Sequence, residues 1–75
     1  MGELSKDEIW FIQVYFERRG FYGAHNISDI DLHMMRIYSF HRSQDIISSL
    51  LKKRVLGISP DKTEVKFTDY GLELF

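Results

Sequence analysis

The chain has 75 residues, a length at which one hydrophobic core is only just self-sufficient, so a single domain over residues 1–75 is expected. It is 44% hydrophobic and 15% aromatic, which is enough apolar material to exclude disorder, and the absence of cysteine excludes disulfide staples and thiolate metal sites. The net charge of −1 excludes a uniformly basic nucleic-acid coat.

Ser5 and Glu8 stand in the S-x-x-E spacing of a capping box, with Leu4 and Ile9 placed as a hydrophobic staple, so a first helix is expected to start there. At a period of 3.6, Ile9, Ile12, Tyr15 and Phe16 share a core stripe, with Phe11 at its edge. Trp10 and Val14 fall on another side, which either lies under the C-terminal helix or forms a dimer face. Arg18 and Arg19 suit the negative end of the helix and Gly20 its stop.

The turn-rich run GFYGAHN at residues 20–26 ends where a short strand could pair with a later hairpin. Ser28 is expected to cap a second helix reaching about residue 38, with Ile27 and Leu32 as staple and Ile30, Met34 and Ile37 buried. Met34 and Met35 read as core filler. Residues 39–42 hold no Gly or Pro; Phe40 is expected to pack between helices, and Ser43 to cap the third helix. That helix has an apolar stripe of Ile46, Ile47, Leu50 and Leu51 opposite Asp45, Ser48, Ser49 and Lys52.

Leu56, Ile58, Val65 and Phe67 alternate with polar residues at the period of half-buried strands, and Pro60 is placed for a type I turn at the hairpin tip. Thr68 caps a short last helix, with Phe67 and Leu72 around it as a further staple. Leu74 and Phe75 then form an apolar tail that folds back or meets a partner. The fold class predicted is α+β, mainly α with a small β-hairpin. Three helices form the core, followed by a two-stranded wing and a short C-terminal helix, the order of a winged helix-turn-helix.

Charge is unevenly distributed. Residues 1–35 sum to −3, residues 36–66 to +4 and the last nine to −2. The positive segment covers the third helix and the hairpin, where a surface facing phosphates would need it. On this reading the helix over residues 43–54 enters a major groove. Gln44, Ser48 and Ser49 read base edges, and Arg42, Lys52, Lys62 and Lys66 hold phosphates.

Residues 43–72 resemble the DNA-binding lobe of MarR-type winged-helix transcriptional regulators. Leu51-Lys52-Lys53-Arg54-Val55-Leu56 follows that family's phrase of a Leu, three polar residues and Gly-Leu, with Val55 for the Gly. Phe67-Thr68-Asp69-Tyr70-Gly71 follows its L-T-x-x-G phrase with Phe for Leu, and Asp61-Lys62-Thr63 has the Asp of the wing element but Thr in place of its Arg. The resemblance implies a DNA-binding regulator whose wing readout rests on Lys62 and Lys66. These 75 residues are fewer than is usual for the family, and its long flanking helices are not expected within them. Dimerisation, if it occurs, is then expected through Trp10, Val14, Leu74 and Phe75, and no effector pocket is expected between such helices.

Other chemistry finds little support. His25, His33 and His41 are eight residues apart, so no two lie one helical turn apart, and no metal or other cofactor is expected. Gly20 and Gly23 fit no phosphate-binding loop, and no catalytic constellation is recognisable, so an enzyme is not expected. No apolar run approaches the roughly 20 residues of a membrane span, and the first ten residues lack a signal peptide's basic flank, so a cytoplasmic protein is expected. Double-stranded DNA and a second copy are the expected partners. The alternative is a winged helix used to bind another protein, as in phage or plasmid accessory proteins that bind a host protein, favoured by the near-neutral charge, Asp45 and the Trp10 patch.

Overall fold

A computed structural model describes residues 4–75, arranged as four helices and a three-stranded antiparallel sheet. In chain order the elements are α1 (Lys6–Arg19), β1 (His25–Asn26), α2 (Ile27–Met34), α3 (Phe40–Lys52), β2 (Leu56–Ile58), β3 (Glu64–Phe67) and α4 (Asp69–Glu73). The class is α+β.

The capping box forms as the spacing requires. Ser5 Oγ accepts from the Glu8 N–H, and Glu8 Oε1 accepts from the Ser5 N–H at 2.7 Å. Gly20 ends α1 at φ 97°, a value that favours glycine, and its N–H donates to Phe16 O. Phe11, Ile12, Tyr15 and Phe16 are the apolar residues α1 buries, so the stripe is rotated from the expected one and Ile9 is exposed.

The second and third helices differ most from expectation. Asn26, not Ser28, caps α2, its side chain accepting from the Ser28 N–H. The helix ends at Met34, so Ile37 lies beyond it and is exposed, as are Leu32 and Met35, while Ile30 and Met34 are buried. Ser39, not Ser43, caps α3, accepting from the Arg42 N–H, so the helix starts one turn early. Ser43 is consequently buried inside α3, and Phe40, expected between helices, stands out from the surface.

β3 is the central strand, paired with β2 through Leu56–Phe67, Gly57–Lys66 and Ile58–Val65, and with β1 through His25–Val65. The expected short strand before α2 is therefore present. Val65 and Phe67 point into the core and Glu64 and Lys66 outward; Ile58, expected inside, is exposed. At the tip the Lys62 N–H donates to Ser59 O, closing a turn with Pro60 in its second position, and Lys62 itself adopts φ 62°. α3 leaves through a Schellman motif: Val55 N–H bonds Leu50 O and Arg54 N–H bonds Leu51 O, with Arg54 left-handed at φ 62°.

Thr68 caps α4, accepting from Gly71 N–H and donating to Arg54 O. Phe75 stacks on Phe21 and meets Phe67 edge-on, so the tail packs against the turn after α1 and against β3. The buried side chains of α1, α2, α3 and the sheet form one cluster, in which Phe16 meets Phe67 at 4.8 Å edge to face.

Candidate nucleic-acid interface

α3 is amphipathic, and three polar connections set which way it faces. The first centres on Glu8, which is only 3% exposed. Its Oε2 accepts from Ser49 Oγ at 2.5 Å, and its Oε1 takes the Lys53 ammonium at 2.5 Å. One carboxylate therefore caps α1 and grips α3. Burial by itself pushes the Glu8 carboxyl up. The hydrogen bonds from Lys53, Ser49 and Ser5, with the Lys53 charge, outweigh that and hold it at about 2, below its ordinary 4.5.

The second connection ties α3 to α2. Gln44 Nε2 donates to Asp31 Oδ2 at 2.8 Å, while Asp31 Oδ1 is buried and makes no hydrogen bond. Burial pushes the Asp31 carboxyl up, and the Gln44 bond only partly offsets this. The third connection is an ion pair between Arg42 and Asp7 of α1, with both side chains half exposed.

These connections correct the expected division of α3. Ser49, expected on the outer face, is turned to Glu8, and Gln44 is turned to Asp31. Arg42 remains partly exposed but already has an acidic partner. The outward stripe is His41, Asp45, Ser48 and Lys52, a four–three–four spacing that keeps all four exposed on one side. His41 is the residue missed from the sequence, because placing the cap at Ser43 left it outside the helix.

The hairpin adds Lys62 at its tip and Lys66 on the outer side of β3, both exposed, and Arg54 is exposed where α3 ends. Asp61 sits beside Lys62 and accepts from Ser59 Oγ and from the Thr63 hydroxyl and N–H, bonds that hold its carboxyl below the usual range. The tip therefore carries an anion next to its cation. Of the expected dimer residues, Trp10 and Val14 line a recess on α1 with Arg18, Leu74 is exposed, and Phe75 is half occupied by its stacking on Phe21.

The histidines are not gathered. His25 donates Nε2–H to Gly20 O and packs against Tyr15 and Phe16, His33 packs against Tyr15, and His41 is exposed. Among the described residues no group of three or more His, Asp or Glu side chains could hold a metal ion. No helix among them is long and apolar enough to cross a membrane. No family model, curated protein or solved structure matches this chain.

Proposed function

We propose that this chain is a winged helix-turn-helix protein that binds duplex DNA, with α3 in the major groove and the β2–β3 hairpin as its wing. The observation that carries the reading is the bare outward stripe of α3, displayed beside a hairpin bearing exposed Lys62 and Lys66. The element order and the pairing of β1 against the hairpin support it. With Gln44 and Ser49 committed inward, base reading falls to Ser48, Asp45 and His41, and phosphate contact to Lys52, Lys62 and Lys66. About three phosphate contacts per chain give weak binding and a log–log salt slope of roughly −3. A homodimer acting as a transcriptional regulator would raise both affinity and specificity. Titration of duplex DNA at low and moderate salt tests the reading. Binding that weakens with salt and with Lys52→Glu is expected; no binding at low salt, or indifference to Lys52→Glu, refutes it.

A second reading, a winged helix that docks another protein, is favoured by one specific observation. Asp45 and Asp61 dilute the positive charge of the α3 and hairpin side, whereas a wide apolar surface stands exposed on α1 and α2.

A further inference from the structure

Large apolar side chains are exposed on α1, on α2 and the residues after it, and at the start of α3. Leu32 is 69% exposed, Met35 65% and Phe40 62%, with Trp10 and Ile37 about half exposed. They line three adjoining recesses that share walls. Val14 and Arg18 belong both to the Trp10 recess and to a groove between α1 and α2, and Leu32 belongs both to that groove and to the recess reaching Phe40. The central groove has a volume of about 640 Å³. Its apolar lining is Val14, Leu32 and Ile37, and its charged lining is Arg18, Arg19 and Arg36 against Asp29.

We propose that this groove docks an acidic amphipathic helical segment of a partner protein, its apolar stripe on Val14, Leu32 and Ile37 and its flanking carboxylates on Arg18 and Arg36. The inference rests on the protein-docking reading above and is independent of DNA binding by α3. Charge complementarity selects the occupant: three guanidiniums against one carboxylate along a groove of mixed lining offer planar, paired donors to carboxylates, and a basic segment would be repelled. Shape argues against a second copy related by a twofold axis, because that would set groove against groove and arginines against arginines. A concave surface also suits an inserted helix better than a flat bilayer. The groove predicts its partner's pattern: apolar residues at i, i+3, i+4 and i+7, with Glu or Asp beside them.

The test uses the whole chain and two synthetic peptides of about 20 residues, long enough to form a helix when bound. Both have leucines at the docking positions; one carries glutamates elsewhere and the other lysines. Trp10, the chain's one tryptophan, lies in the adjoining recess and reports occupancy by its emission. Saturable binding of the glutamate peptide is expected, at least about tenfold tighter than the lysine peptide, and reversed in preference by Arg18→Glu with Arg36→Glu. Arg18→Lys with Arg36→Lys keeps the preference for acid, and Lys52→Glu leaves peptide binding unchanged. Thermal melts confirm that each variant folds.

Equal binding of both peptides overturns the selection for acid while leaving protein docking in place. Binding of neither overturns both. Sedimentation showing a dimer with Trp10 shielded assigns the groove to a second copy, and equal Trp10 response to anionic phospholipid vesicles assigns it to a membrane surface; either outcome also overturns the inference.

Discussion

The Glu8 carboxylate and the Lys53 ammonium meet at 2.5 Å across 45 residues of chain, one end of the contact buried and the other reaching the surface. Because Glu8 also closes the capping box, the start of α1 and the end of α3 share one group. Removing the Glu8 carboxylate leaves the Ser5 N–H, the Ser49 hydroxyl and the Lys53 ammonium without their common acceptor. Glu8→Ala is expected to lower unfolding stability by about 3 kcal/mol, while Ser5→Ala, which removes only the cap, costs about 1 kcal/mol. Urea unfolding of the two variants beside the parent checks the ranking.

The same contact sets a pH dependence. The folded carboxyl titrates at about 2, below its ordinary 4.5, so the unfolded chain binds the proton more readily. Its contribution, about 3 kcal/mol, is fully present above pH 4.5 and fades as the pH falls towards 2. Asp31 acts in the opposite sense: its raised carboxyl stabilises the fold as it takes a proton, so Asp31→Asn should not destabilise at neutral pH. Melts of the parent and Glu8→Gln from pH 7 to pH 2 should converge at the acid end. A constant difference between them would show that Glu8 is not the titrating group.

Gly71 is buried at the centre of α4, where a β-carbon would run into the Val55 carbonyl and come within 3.1 Å of the Phe67 ring. Val55 O is main chain and is fixed by the Thr68 N–H at 3.1 Å, so it cannot move aside cheaply. Gly71→Ala is expected to cost about 3 kcal/mol, despite alanine's better helix propensity. Thermal unfolding measures it.

Substitutions on α3 should sort by which way each side chain faces. Lys52→Glu and Lys62→Glu are expected to weaken DNA binding about equally across sequences with little change in melting temperature, since both lysines are exposed. Gln44→Ala and Ser49→Ala should instead lower stability by about 1 kcal/mol each without altering sequence preference, since their partners are Asp31 and Glu8. A base-specific change in a binding-site selection with Gln44→Ala would contradict the inward placement.

Local signals read correctly where the physics is local. The Ser5–Glu8 box, the Gly20 stop, the Pro60 turn and the Thr68 cap each need only residues within a few positions. At the starts of α2 and α3 neighbouring Asn and Ser residues competed for the capping position, and residues 35–42 hold no Gly or Pro to mark the break between the two helices. Asn26 and Ser39 won over Ser28 and Ser43, and the shifts exposed Ile37 and Phe40. The direction of Ser49 and Gln44 was illegible for a different reason. On a helical wheel both border the outer face, and only the packing of α3 beside Glu8 and Asp31 turns them inward. Glu8 itself looked spent on its cap, and nothing near it in sequence signals Lys53.

Arg54 and Lys62 both hold left-handed backbone, at φ 62°, where glycine or asparagine would sit with less strain. Each thus retains a long cationic side chain at a conformational penalty of about 1 kcal/mol, one at the exit of α3 and the other at the hairpin tip. On the proposed DNA-binding reading, heat resistance and attraction for a polyanion pull in opposite directions at these two sites. A glycine at either one should make the chain hardier and, on that reading, any hold on nucleic acid looser, a trade that would reveal what the strain is for.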